Sequence, residues 1–290
     1  MSRAEPLRDL LARPGLITMP CCYDALSGLL VERAGFPLTF MSGFGVAAQR
    51  LGLPDTGLIS YGEMAAQARD ICGALTIPVI GDGDTGYGNA MNVKRTVRGY
   101  SQAGLAGIMI EDQLAPKRCG HTRVKEVVDR AEARSRIQAA VDARDEGAEI
   151  VIMARTDARQ TRGFNEALAR CQEFAELGAD IIFMEAPETK EEMASFCLET
   201  PAPCMANMLA GGKTPLLPPT ELEELGYKIV AYPLTLLSCA VDGMNQALAG
   251  LAQGQYPDHL SFQELQEIVG FPRYYQEESR YISPPSIFEK

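Results

Sequence analysis

The chain has 290 residues, 46% hydrophobic and 22% charged, and 27 Lys+Arg against 38 Asp+Glu give a formal net charge of −11. That make-up excludes a disordered chain, and the lack of a basic stripe excludes a general nucleic-acid binder. The length suits one large domain or two small ones, and α/β barrels often reach this size as single domains.

From the N-terminus, residues 5–12 predict a short helix that buries Leu7, Leu10 and Leu11. Charges at Arg3, Glu5, Arg8, Asp9 and Arg13 leave no apolar run for a secretory signal. Eight short apolar runs follow, at 16–20, 38–41, 77–80, 107–110, 150–154, 181–184, 204–206 and 228–231. Each ends in a polar or Gly-rich turn. Amphipathic stretches of helical period lie between several of them. One is 91–103, behind Asn89; another is 131–146; a third is 165–177, with Gly178 as its expected C-terminal cap.

Strands apolar throughout predict a sheet buried on both faces, hence parallel strands with helical crossovers. Eight such units fit an α/β fold of the (β/α)₈ TIM-barrel class, with a doubly wound open sheet as the rival. No run is long and apolar enough to span a membrane. The 8 cysteines form no CxxC pair and mostly sit among apolar neighbours, as buried thiols of a cytoplasmic protein do.

In such a barrel the chemistry sits at the C-terminal strand ends. Those positions carry Asp24, Ser42-Gly43, Asp82 and Asp84, Glu111-Asp112, Arg155-Thr156-Asp157, Glu185 and Asn207. Singly, each has a plain reading: turn formers at Asp82 and Asp84, caps at Glu111 and Glu185, an ordinary ion pair at Arg155. Jointly they favour a site. Converging carboxylates need positive charge nearby, and hard oxygen donors without a His or Cys pair point to Mg²⁺ or Mn²⁺ rather than Zn²⁺. The Gly-rich GDGDTGYG places acids where a dinucleotide's pyrophosphate would lie, which argues against nucleotide binding.

A second cluster is Pro116-Lys117-Arg118-Cys119-Gly120-His121. Positive neighbours favour a thiolate, the setting of a reactive or proton-transferring cysteine. An exposed basic loop with an ordinary cysteine is the alternative. The other histidine, His259, lies in a polar stretch near the C-terminus.

The segment EDQLAPKRCGH (111–121) closely resembles the signature loop of the isocitrate lyase/phosphoenolpyruvate mutase superfamily. Ser42-Gly43, GDGDTGYGN (81–89), ARTDA (154–158), MEAP (184–187) and ANMLAGGKTPL (206–216) match in the same order. Within the superfamily the chain is most similar to the methylisocitrate lyase and 2,3-dimethylmalate lyase (petal death protein-like) branches.

The resemblance implies a single helix-swapped barrel domain over 1–290, with helices from about residue 235 exchanged between subunits of a homotetramer. It implies Mg²⁺ at Asp82, Asp84 and Glu111, mostly through water, with Asp55 nearby. Ser42, Gly43 and Phe44 would hold the carboxylate of a pyruvate-like 2-oxo acid, Arg155 would bond its oxygens, and Glu185 and Asn207 would shape the pocket. Lys117, Cys119, Gly120 and His121 fall on the family's gating loop. The implied reaction is retro-aldol cleavage of a 2-hydroxy dicarboxylate, with Cys119 protonating the departing carbanion. The partners are then small carboxylates, not nucleic acid or membrane.

Two departures stand out. Ser238 replaces the arginine with which methylisocitrate lyases grip a third carboxylate, so a tricarboxylate should bind poorly. Phe40 and Phe44 replace tyrosines that flank the Ser-Gly turn in related lyases. Tyr23 and Tyr87 are the remaining candidates for the deprotonating role, and the base stays unassigned. Rival readings are an oxaloacetate decarboxylase, a C–C hydrolase, a methylisocitrate lyase, or a non-catalytic barrel that binds a 2-oxo acid.

Overall fold

The computed structural model describes residues 4–117 and 126–281. The chain groups into two compact units, residues 1–239 and 240–290. In the first, eight parallel strands close into a barrel in sequence order. They are β1 (Ile17–Cys22), β2 (Thr39–Met41), β3 (Val79–Asp82), β4 (Gly107–Glu111), β5 (Val151–Thr156), β6 (Ile181–Met184), β7 (Cys204–Asn207) and β8 (Ile229–Tyr232). β8 pairs back onto β1, Ile17 facing Ile229, which rules out the open doubly wound sheet. A closed barrel has no unpaired edge strand to protect.

Helix α1 (Ala4–Ala12) precedes β1, and α2 (Ala25–Arg33) follows it. After β2 come α3 (Gly43–Leu51) and α4 (Tyr61–Ala74); after β3, α5 (Ala90–Gln102); after β4, α6 (Arg130–Asp145). β5 is followed by α7 (Ala158–Arg162) and α8 (Phe164–Glu176), β6 by α9 (Lys190–Glu199), β7 by α10 (Pro219–Glu224), and β8 by α11 (Thr235–Ala252). The three predicted helices begin and end within one residue of α5, α6 and α8. The starts of α5 and α6 follow from capping: Asn89 accepts backbone N–H groups of α5, and Asp129 accepts the Glu132 N–H at 2.8 Å. Gly178 lies one residue past the cap of α8, at φ 97°, the left-handed conformation that glycine adopts without strain.

The strands are apolar on both faces because each face has its own core. Met19, Phe40, Ile80, Met109, Met153, Phe183, Met205 and Ile229 belong to the cluster that fills the barrel. Their neighbours Met41, Ile108, Ile152, Ile182, Ala206 and Val230 join the helices in a second, outer cluster. Leu7 of α1 is fully buried in the inner cluster, with Leu10 and Leu11 packed against it. A side chain on Gly107, at the start of β4, would meet Leu7 Cδ2 at 3.2 Å and Ile80 at 3.1 Å. Helix α1 therefore packs against the strand starts, the end of the barrel away from the strand C-termini.

In the second unit, α12 (Phe262–Val269) is closed by a Ser261–Glu264 capping box, and Gly270 at φ 92° separates it from α13 (Phe271–Glu278). Among the described residues no helix is long and apolar enough to cross a membrane. Five of the described cysteines are buried, Cys197 is half-buried and Cys239 exposed, and all seven are free.

Candidate active site

The strand alternation that fills the barrel also builds the site. Two residues beyond an interior apolar side chain, the same face emerges at the C-terminal rim. Phe40 leads to Ser42, Ile80 to Asp82, Met109 to Glu111, Met153 to Arg155, Phe183 to Glu185 and Met205 to Asn207. Asp82, Glu111 and Asn207 are the last residues of their strands, and Arg155 lies inside β5 rather than after it. These side chains line one pocket of about 680 Å³, open mouth included, above a floor formed by Cys21, Phe40, Met109, Phe183, Met205 and Ala231. Phe44, Asp55 and Lys117 line it too, as do Gln113, Leu209 and Leu234, for which the sequence reading named no role.

One side of the rim is an acid cluster around an ammonium. Lys117 is 5% exposed; its Nζ stands 3.1 Å from Asp55, 3.6 Å from Asp82 and in direct contact with Asp84 Oδ1. Burial opposes the charge of Lys117, and Asp82, Asp84, Asp55 and Glu111 outweigh it, so its pKa is raised. Burial pushes Asp84 up, partly offset by Lys117. The backbone serves the same acids. Gly43 N–H donates to Asp82 Oδ2 at 3.2 Å, and Asp84 N–H to Asp82 Oδ1 at 3.0 Å. Asp84 adopts φ 49°, a strained choice for a non-glycine residue.

The other side is built on Arg155. Asp157 takes its Nε and Nη2 in a bidentate pair, both at 2.9 Å, while Glu111 stands at 3.2 Å and Glu185 at 3.6 Å. Burial works against the guanidinium charge, and Asp157, Glu185 and Glu111 hold its pKa well above the ordinary value. Its Cζ lies 5.3 Å from the Phe183 ring centroid, a cation–π contact with the pocket floor. Burial raises the Glu111 carboxyl, with Arg155 opposing.

The sequence-predicted residues thus come together, with stated exceptions. Gly43 and Asp84 reach the pocket through Asp82 and Lys117 rather than lining it. Asp24, a strand-end candidate, instead caps α2, accepting the Ser27 N–H at 2.7 Å. Cys119, Gly120 and His121 lie outside the described residues. Tyr23 and Tyr87 do not line the pocket; the Tyr87 hydroxyl pairs with that of Tyr100 at 3.3 Å, and burial raises both phenols. Ser238 is exposed on α11, one turn beyond the pocket-lining Leu234, whose carbonyl accepts its N–H at 2.8 Å.

Among the described residues no three carboxylates close directly around one point as a bare metal requires. The acid cluster nonetheless fits a hydrated hard cation. Its donors are all oxygens, an ammonium already stands among them, and Glu111 Oε1 is buried without a hydrogen-bond partner.

Residues 7–252 match the phosphoenolpyruvate phosphomutase family. The chain is 42% identical over 286 residues to the 2,3-dimethylmalate lyase of Eubacterium barkeri, covering 97% of this chain and 99% of that one. Its fold superposes on oxaloacetate acetylhydrolase in complex with 3,3-difluorooxalacetate with a TM-score of 0.93, at 34% identity over 98% of both chains. A phosphonopyruvate hydrolase complexed with oxalate and Mg²⁺ superposes with a TM-score of 0.87, at 30% identity over 98% of this chain and 100% of that one. Barrel, rim constellation and relatives agree: the chain belongs to the phosphoenolpyruvate mutase/isocitrate lyase superfamily, as one of its carbon–carbon lyases.

Proposed function

We propose that the chain cleaves a 2-hydroxy dicarboxylate of the 2-alkylmalate or 2,3-dimethylmalate type into pyruvate and a saturated carboxylate. The observation that carries this reading is the pairing of two cation-bearing acid clusters on one rim over an apolar floor. The cations Lys117 and Arg155 suit the substrate's two carboxylates, and the floor suits its alkyl groups. No third cation lines the pocket among the described residues, and the short Ser238 side chain cannot supply one, which disfavours a tricarboxylate.

Asp82, Asp84, Glu111 and Asp55 would hold Mg²⁺, with Mn²⁺ as a substitute; four carboxylates lining or touching the rim also leave an excess of negative charge for a divalent cation to offset. When bound, the cation supplies Lewis acidity that lowers the pKa of the substrate's 2-hydroxyl. With its Nε and Nη2 edge taken by Asp157, Arg155 presents the Nη1 end to a carboxylate and stabilises negative charge as it develops. Ser42, Gly43 and Phe44 stand at the N-terminus of α3, whose backbone dipole favours the carboxylate of a 2-oxo acid. Glu185 and Asn207 bound the remaining wall. A base takes the hydroxyl proton, the oxygen's electron pair forms the C2 carbonyl of pyruvate, and the C2–C3 bonding pair is left on C3. Cys119, beside Gly120 and His121 in the sequence, would deliver the proton that completes the saturated product.

Association of four copies through the helices beyond about residue 235 completes the reading. Val241, Met244, Leu248 and Leu251 are exposed at helical spacing and suit a partner copy. The free thiols suit the reducing cytoplasm.

The likeness to oxaloacetate acetylhydrolase favours a second reading, hydrolysis of oxaloacetate to oxalate and acetate. Product analysis separates the two. Incubated with 2,3-dimethylmalate and, separately, oxaloacetate, the lyase releases pyruvate from the former and loses that turnover in Cys119→Ser. Oxalate from oxaloacetate, unaffected by Cys119→Ser, would establish the hydrolase instead.

A further inference from the structure

We infer that Asp112 and Arg170 are positioning residues for Arg155, an assignment that rests on the reading of Arg155 as the substrate's carboxylate ligand. Behind Arg155 lies a chain of buried charges that the reaction itself does not use. Asp157, fully buried, grips the guanidinium through both of its oxygens. Asp157 is fixed in turn by Asp112, whose Oδ1 accepts the Asp157 backbone N–H at 2.9 Å and whose Oδ2 accepts the Thr156 hydroxyl at 2.6 Å. Strands β4 and β5 are in register with Glu111 opposite Arg155, so Asp112 faces the turn that leaves β5.

Asp112 is 1% exposed, and a carboxylate so deeply buried calls for a paired cation. Arg170 of α8 supplies it, with Nη1 at 3.0 Å from Asp112 Oδ2 and from the Val128 carbonyl, and Nε at 2.9 Å from Glu166. Arg170 is 3% exposed, on the same helix face as Ala167, Cys171 and Phe174. An apolar side chain would fill that face at no desolvation cost, and buried ion pairs are poor sources of stability against well-packed hydrophobes. The pair does something an apolar residue cannot: it fixes Asp112, and through Asp112 the two residues that aim Arg155. Asp157 then orients the guanidinium fork, with the Nη1 end left for ligand.

The test measures binding of oxalate in the presence of Mg²⁺ by calorimetry, well below the melting temperature. Arg170→Met keeps the volume and removes the charge; Thr156→Val removes one donor to Asp112 at little cost to packing, so it carries the test if Arg170→Met does not fold. Arg155→Gln is the control. Each of the two positioning variants is expected to weaken oxalate by about tenfold, the order of one lost hydrogen bond to a charged group. Thr156→Ser, which keeps the hydroxyl, restores wild-type affinity. A purely structural role would lower the melting temperature and leave the affinity of the folded protein unchanged. Wild-type affinity in Arg170→Met and Thr156→Val, with binding lost in Arg155→Gln, would overturn the inference alone. Wild-type affinity in Arg155→Gln would overturn the reading of Arg155 and the inference with it.

Discussion

Gly43 and Lys117 show how single residues set the acid cluster. A Cβ on Gly43 would stand 2.4 Å from Asp82 Oδ2 and 3.2 Å from Lys117 Nζ, so only glycine lets the backbone N–H reach Asp82. Gly43→Ala is expected to displace Asp82 and to weaken Mg²⁺ binding by about tenfold, within the range that disturbed ligand positioning costs, as read by calorimetry. Lys117→Met leaves Asp55, Asp82 and Asp84 facing one another without a counter-ion. Breaking such a buried set costs about 3–5 kcal/mol, and Mg²⁺ should restore much of it. The melting temperature of Lys117→Met is therefore expected to fall sharply in chelator and to recover with Mg²⁺ far more than that of the wild type. Asp82 and Asp84 were legible in the sequence because they follow a strand-like run, whereas Asp55 lies between α3 and α4 and came only from the family resemblance. The place of Lys117 was not legible, because its ammonium reaches the cluster from a loop that only the folded barrel brings alongside.

The elements were legible where one force dominates. Continuous apolar runs marked all eight strands, and Asn89 marked the start of α5. Which strand face points inward was hidden, since both faces are apolar, until the polar rim residues fix the parity. The buried arginines were also passed over, though the pattern carried a signal. Arg170 shares a stripe with Ala167, Cys171 and Phe174, and Arg136 shares one with Ala133, Ile137 and Ala140. Arg136 donates to the carbonyls of Gln113 at 2.7 Å and Glu111 at 3.3 Å, bracing the end of β4. A charge on an apolar helix face marks a buried partner.

Leu7→Ala empties the inner core where α1 meets the strand starts and is expected to cost about 2–5 kcal/mol in denaturant melts, with turnover of the folded protein unchanged. Glu166 is held down to about 2, first by hydrogen bonds from Arg130 and then, against burial, by Arg170. Its folded pKa lies below the unfolded value of about 4.3, so its contribution is complete above that pH and is lost as the pH falls toward 2. Glu166→Gln is expected to flatten the stability profile across that window, measured by urea titration at each pH.

At the scale of the whole molecule, the barrel unit buries its own apolar surface in two layers, whereas α11, α12 and α13 bury no residue. Phe271, Tyr274 and Tyr275 are exposed and pack ring on ring, with centroids 5.7 Å apart. Such surface suits an interface between copies, and Leu248→Asp is expected to yield a smaller species by light scattering after size exclusion. The sequence carried the C-terminal helices only weakly, since none of their residues is buried and their apolar positions mark no core. The central claim concerns the reaction. Pyruvate release from 2,3-dimethylmalate, followed with lactate dehydrogenase and NADH, tests it most directly. Rapid release is expected with Mg²⁺, stopping on chelation and returning when the cation is restored. No pyruvate from 2,3-dimethylmalate under any metal condition, with oxaloacetate consumed instead, would contradict it.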